Sequence, residues 1–135
     1  MPFEDVNKDL DERRAKVLKM GKPAILEKMK NEGLLNARER LDYLFDKGSF
    51  VESGMLATAS RPEVRDKAPA DGKIAGYGKI NGRWAASVSN DFSVMGASSA
   101  LINLKKMKHI KDVANKRGMP IVWLGESSGS RMPDR

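Results

Sequence analysis

The sequence has no cysteine and a single histidine, His109. This excludes a disulfide framework, thiol chemistry and thiolate metal sites, and it leaves too few imidazoles for a histidine metal cluster or a Ser-His-Asp triad. Long apolar runs are also missing. Nothing approaches the about 20 consecutive apolar residues a membrane helix needs, and the opening Met1-Pro2-Phe3-Glu4-Asp5 is acidic where a targeting signal would be basic. The expectation is a soluble, cytoplasmic protein with no membrane segment and no resident metal, working through groups other than thiols and imidazoles. Internal repeats and low-complexity tracts are absent as well.

What the chain does have is positive charge. Its 135 residues hold 25 Lys and Arg against 18 Asp and Glu, a net +7 with an isoelectric point near 9.7, and 40% hydrophobic residues provide for one packed core. Residues 101–135 contribute eight basic and three acidic side chains, so +5 of the excess sits there. Such a balance favours anionic partners, a phosphorylated cofactor or nucleic acid among them. No nucleic-acid motif and no aromatic-basic pattern accompanies the charge, so nucleic acid is not the expected partner.

Local patterns divide the chain. Val6, Leu10 and Val17/Leu18 recur at helical spacing along a highly charged stretch ending near Gly21, a stripe too narrow to build a core alone. Pro23 suits the first turn of a second helix that stops near Gly33, and Asn36 with Glu39 forms a capping box opening a third, which ends at Asp46-Lys47-Gly48. From Phe50 the period changes. Phe50-Val51-Glu52 and Met55-Leu56 read as short strands, and residues 58–72 as a surface loop. Residues 73–80 and 83–89 flank Asn81-Gly82, the strongest short hairpin signal. A small-residue stretch, Phe92 to Ser99, then leads into a helix of about two dozen residues by the reach of its pattern. Ala97, Leu101, Leu104, Met107, Ile110 and Val113/Ala114 are expected on its buried face, with Lys105, Lys106, Lys108 and Lys111 on a solvated one. Gly118 and Pro120 precede a buried strand, Ile121 to Leu124, with Trp84 and Trp123 expected in the core and His109 at the surface. The order strand, hairpin, helix, strand indicates an α/β fold.

Gly125-Glu126-Ser127-Ser128-Gly129-Ser130-Arg131 follows that last strand directly. Small residues at the carboxyl end of a strand admit a ligand carbonyl to the backbone, where successive N–H groups can hold a developing oxyanion at about 3 kcal/mol per donor. The same residues also suit an ordinary Ser/Gly turn. Arg131 suits either a phosphate contact or, preferably, an anchor through a carboxylate such as Glu126.

Four segments in order carry a resemblance: Asn36-Ala37-Arg38-Glu39-Arg40-Leu41 through Gly48-Ser49-Phe50-Val51-Glu52, Ala70-Asp71-Gly72 through Ile80-Asn81-Gly82-Arg83, Ser89-Asn90-Asp91-Phe92-Ser93-Val94-Met95-Gly96, and Glu126-Ser127-Ser128-Gly129-Ser130-Arg131. Together they resemble the carboxyltransferase (β) subunits of biotin-dependent acyl-CoA carboxylases over about residues 35–134. The sequence departs from that family's pattern at Ser128, where Gly is usual, and at Ser130, where Ala is usual. The resemblance implies an N-terminal helical segment, residues 1–48, before an incomplete acyl-CoA-binding domain, residues 49–135, built as part of a crotonase-like (ClpP-like) ββα spiral. It implies carboxyl transfer from carboxybiotin to the α-carbon of an acyl-CoA through an enolate held by backbone donors, here Ser128 and Gly129. It leaves open the reverse, decarboxylating direction and a catalytically silent CoA-binding or assembly module. The implied partners are acyl-CoA, a biotin carboxylase or biotin carrier protein, the remainder of a longer carboxyltransferase chain and further copies in a homo-oligomer. The family's subunit is several times longer, so a fragment or a split subunit is expected.

Overall fold

A computed structural model describes residues 3–132. Three helices come first: α1 (Glu4–Leu18), α2 (Pro23–Asn31) and α3 (Ala37–Leu44). Glu4 and Asp5 stand in the first turn of α1 and Lys16 in its last, matching the helix dipole, but none of its residues is buried. The helix stops at Leu18, short of Gly21, because Met20 takes a left-handed conformation (φ 64°). The expected capping box of α3 is present. Asn36 Oδ1 accepts from the N–H groups of Arg38 and Glu39 at 3.0 Å each, and the Asn36 N–H donates to Glu39 Oε2 at 2.8 Å. A cap of this kind contributes about 1 kcal/mol.

Four strands form one mixed sheet in the order β1 (Val51–Ser53), β2 (Lys73–Ile80), β3 (Arg83–Asn90), β4 (Ile121–Leu124). The first three are antiparallel. β4 joins β3 in parallel after the crossover helix α4 (Leu101–Arg117). Asn81 and Gly82 close the hairpin with φ 50° and 79°, as a type I′ turn requires. The Asp46 carboxylate at the end of α3 accepts both their N–H groups, at 2.9 and 2.7 Å.

The sheet is covered on both faces. Ala37, Leu41 and Phe45 pack with Ile74 and Ala85 on one face, and Ile110 and Ala114 of α4 pack with Ala75, Ala86 and Val88 on the other. Alternation along β2 and β3 produces the two faces. On the α3 face two positions have no side chain. A Cβ at Gly76 would lie 2.8 Å from the Phe50 ring and one at Gly78 2.6 Å from the Phe45 ring. These glycines form the slot in which the two rings stack, 5.1 Å apart.

Several expectations are corrected. Met55-Leu56 is a turn, not a strand, and α4 has 17 residues, because Ser98 to Ala100 run extended before it. Residues 58–72 are not simply a surface loop. They make two short 3-10 turns, and Ala59 and Ala68 pack with Val94 in a small core of their own. The buried side of α4 is Asn103, Lys106, Ile110 and Ala114, while Leu101 and Leu104 are 42% and 50% exposed. The N-terminal half of this helix faces main-chain carbonyls rather than an apolar surface, so donors occupy that side. Trp84 and Trp123 are 49% and 43% exposed rather than core. Trp84 lies at the hairpin end with Lys79 Nζ 5.4 Å from its ring, and Trp123 lies on an edge strand whose residues are only partly covered. No helix among the described residues is long and apolar enough to cross a membrane.

Candidate functional site

Two turns with unusual backbone converge on the loop that follows β4. Ala70, Asp71 and Gly72 have φ of 51°, 49° and 71°, and Met95, Gly96 and Ala97 have 49°, 62° and 50°. Four of these six carry a Cβ, which disfavours the left-handed region, so the surroundings must impose the conformation.

The imposing groups are buried and charged. Asp71, fully buried, accepts from Arg131 Nη1 at 2.6 Å and from the Asn103 N–H at 2.9 Å, and its carbonyl accepts from Asn103 Nδ2 at 3.0 Å. Lys106 Nζ donates to the carbonyls of Ala70 and Lys73, at 2.7 and 2.6 Å. Lys73 Nζ in turn donates to the Ala97 carbonyl at 2.7 Å. One network therefore fixes both left-handed turns, the start of α4 and the end of the chain's final loop.

Arg131 is thus the carboxylate-anchored residue expected from sequence, with a different carboxylate. Its side chain turns inward to Asp71 and Ser98, whereas Glu126 pairs with Arg40 at 3.2 Å. Lys106 is corrected from a solvated lysine to a buried one. Lys105, Lys108, Lys111 and His109 are exposed.

Burial pushes both interior lysines down to about 8. At Lys73 the charge of Arg131 adds to the effect and that of Asp71 opposes it, while at Lys106 Glu52 and Asp71 oppose it. Between about pH 8 and the ordinary lysine value of 10.5 the unfolded chain holds protons that the folded chain does not. The stability these two groups control is therefore full above that window and falls as pH drops through it toward 8. The Nζ or Cε resonances of Lys73 and Lys106 are expected to titrate with midpoints about two units below those of the exposed lysines. A midpoint near 10.5 would show that neither is desolvated. Asp91 is shifted upward, chiefly by burial, against the hydroxyl and N–H of Ser93, which both donate to it.

The loop itself is laced to the Met95–Ala97 turn. The Ser128 N–H donates to the Gly96 carbonyl at 2.9 Å, the Ser99 N–H to the Gly129 carbonyl at 2.8 Å and the Arg131 N–H to the Ser99 carbonyl at 2.8 Å. Ser127 Oγ donates to the Ala97 carbonyl at 3.1 Å and accepts from the Gly129 N–H at 3.1 Å. Residues 127–130 are exposed. Gly129 has φ 112°, and Ser128 is not among the residues with positive φ, so its side chain adds no backbone strain there. That side chain lies over Gly96, where an added Cβ would be 2.5 Å from Ser128 Oγ. Gly96, Lys73 and the Asp71 partner of Arg131 were not marked as site residues by the sequence. Two signals were present at Gly96: the small-residue stretch Phe92 to Ser99 before α4, and the third resembling segment, which ends at this glycine.

A ββα layer in which a strand-end loop of small residues meets a strained turn, both fixed by buried charge, is a crotonase-like arrangement, and the structural relatives share that fold. The family model of the carboxyl transferase domain matches residues 28–134, and the chain belongs to this family. The propionyl-CoA carboxylase beta chain of Roseobacter denitrificans is 36% identical over 135 residues, which are 98% of this chain and 26% of that protein. The methylmalonyl-CoA decarboxylase subunit alpha of Propionigenium modestum is 33% identical over 129 residues, 93% of this chain and 25% of that one. Transcarboxylase 12S, solved with methylmalonyl-coenzyme A and methylmalonic acid bound, superposes with a TM-score of 0.88 at 34% identity, over 97% of this chain and 26% of its own. The chain spans about a quarter of the length of these relatives.

Proposed function

We propose that the chain forms the acyl-CoA half of a biotin-dependent acyl-CoA carboxyltransferase. The observation that carries this reading is the exposed 127–130 loop, whose main-chain donors are set against the Met95–Ala97 turn by a buried ion network. Ser128 and Gly129 are the donors to the thioester oxygen. When the α-carbon loses its proton, the electron pair delocalises onto that oxygen, and N–H groups aimed at it stabilise the charge without any imidazole or thiol. The pair would then form the carbon–carbon bond to the carboxyl carbon as that carbon's bond to the ureido nitrogen of biotin breaks, and the ureido group so released would take up the proton lost by the α-carbon. Carboxybiotin, brought by a biotin carrier partner, supplies that carboxyl group.

Both donors have partners in this structure that a substrate oxygen would replace. The acceptor for Gly129 is the hydroxyl of exposed Ser127, which can rotate away, while that for Ser128 is the carbonyl of Gly96, so engaging Ser128 requires a small shift of the loop from the turn. The decarboxylase relative favours a second reading in which the same half-site accepts the electron pair left as carbon dioxide departs. Both directions use one enolate. The protein acts in the cytoplasm within a homo-oligomer that includes the remainder of a carboxyltransferase chain and works with a biotin carboxylase partner.

Calorimetric titration with propionyl-CoA and with propionate, on the chain alone and assembled with its partners, tests the acyl-CoA assignment. Saturable binding of the thioester but not of the free acid is expected. No binding of propionyl-CoA in either state overturns the assignment.

A further inference from the structure

The strand-end loop is tied at its middle to the Met95–Ala97 turn and at its end to Asp71 through Arg131, but neither contact reaches its start. Parallel pairing of β3 with β4 stops at Ser89 and Leu124, before the chain reaches Glu126. Beyond that point a side chain takes over from the main-chain ladder. Asn90, the last residue of β3, donates from Nδ2 to the Glu126 carbonyl at 2.9 Å.

The other end of Glu126 is held from α3. Arg40 Nη2 donates to its carboxylate at 3.2 Å, while Arg40 Nε donates to the Leu35 carbonyl at 3.0 Å, so the guanidinium joins the turn before α3 to the loop after β4. Ser89 Oγ donates to the Ala37 carbonyl at 2.9 Å, which fixes the first turn of α3, and with it Arg40, against the end of β3. One residue is therefore held by its carbonyl and by its carboxylate, from two elements, immediately upstream of Ser127 and Ser128.

The chemistry of Asn90 indicates what this arrangement serves. The residue is 6% exposed, and its Oδ1 is buried with no hydrogen-bond partner among the described residues. An unpaired buried acceptor costs free energy that an apolar side chain of the same shape would avoid. Turning the amide over would set Oδ1 against the Glu126 carbonyl and lose the bond to it. Glu126 itself is only partly buried, where solvent competes with such a bond. Stability therefore gives little reason to keep an amide here, whereas the direction of the loop does. A main-chain donor stabilises a developing oxyanion only when aimed at it, and a displacement of about 1 Å costs on the order of 10²-fold in rate.

We propose that Asn90 and Arg40 are positioning residues for carboxyl transfer: by holding Glu126 at both ends they set the direction in which the chain leaves β4 and so aim the N–H groups of Ser128 and Gly129 at the thioester oxygen. The proposal rests on the acyl-CoA reading above and extends it to two residues that are not themselves donors to the substrate.

The test is made in a complete carboxyltransferase with its biotin-bearing partner, measuring kcat, the calorimetric Kd for propionyl-CoA and the urea midpoint of each variant. Asn90→Leu keeps the shape and removes the donor, and Arg40→Met removes the contact to the carboxylate. Each is expected to lower kcat by about tenfold or more while Kd stays within about threefold and the urea midpoint changes little. Arg40→Lys, which keeps a cation, should recover most of the turnover lost in Arg40→Met. In a Glu126→Ala background, which has no carboxylate, Arg40→Met should cost nothing further, because both changes remove one interaction. Turnover retained within about twofold in either single variant overturns the proposal. So does a joint fall of kcat, affinity and urea midpoint, the result of damaged packing, or a further loss from Arg40→Met in the Glu126→Ala background. Loss of turnover in Gly129→Pro but not in these variants leaves the donors standing and removes only the positioning. Failure of the unsubstituted assembly to bind propionyl-CoA overturns the reading beneath both.

Discussion

Arg131→Met lowers the stability of the folded chain by about 3–5 kcal/mol, the usual consequence of leaving a buried charge without its partner. Asp71 is fully buried, and the guanidinium at 2.6 Å is the countercharge in direct contact with its carboxylate. Two N–H-type contacts from Asn103 remain in the variant, one to the carboxylate and one to the carbonyl, and they do not neutralise a full charge. The effect is not confined to stability. Arg131 is also the last tie between the 127–130 loop and Ser98, so the variant should lose acyl-CoA affinity together with its urea midpoint. Adding Asp71→Asn to Arg131→Met removes the uncompensated charge while keeping an acceptor for the Asn103 N–H, and more than half of the lost stability should return. A cost below about 1 kcal/mol for the single variant, the level of an exposed pair, would remove the network from the fold's essential contacts.

The parts of the fold that were legible from sequence are those whose cause is local. The Asn36–Glu39 capping box spans three residues and the Asn81-Gly82 turn two, so both could be read and both are present. The crossover helix shows where such reading stops. Its apolar spacing pointed to Leu101 and Leu104, but the surface opposite its first turns consists of the carbonyls of Ala70, Lys73 and Ser98 and the carboxylate of Asp71. A lysine and an asparagine satisfy that surface, and a leucine cannot. No periodicity reveals this, because the 69–73 segment is about 30 residues distant in the chain, as the separation of 33 between Lys106 and Lys73 shows. Arg131 and Asp71 are 60 residues apart, so sequence indicated an anchor but supplied the nearer Glu126 as its partner. The loop was legible as a small-residue run after a strand. Its lacing to Gly96 was not, since that depends on a missing Cβ and a carbonyl, neither of which leaves a pattern in the side chains.

Those main-chain contacts determine what a substitution in the loop should do. Gly129→Pro, in a complete carboxyltransferase with its biotin-bearing partner, is expected to lower kcat by about 10²–10³-fold or more, the loss that follows removal of one oxyanion donor. Proline deletes the N–H, and its φ near −65° cannot reproduce the 112° of Gly129, so the neighbouring Ser128 donor is re-aimed as well. No heavy atom lies within 4 Å of a Cβ built at this glycine, so the new ring meets open space rather than the core. The stability cost should therefore be that of local strain, about 1–3 kcal/mol, with the hairpin and α4 intact. Donors that act on charge developed in the reaction affect kcat far more than ground-state affinity, so the Kd for propionyl-CoA should change much less than turnover. Ser127→Ala supplies the contrasting measurement. It removes the hydroxyl that now accepts the Gly129 N–H while leaving that donor in place, and turnover should be retained. Turnover of Gly129→Pro within tenfold of the unsubstituted enzyme would show that the thioester oxygen is held elsewhere. A matching collapse in Ser127→Ala would make the hydroxyl, rather than the main chain, the group that counts.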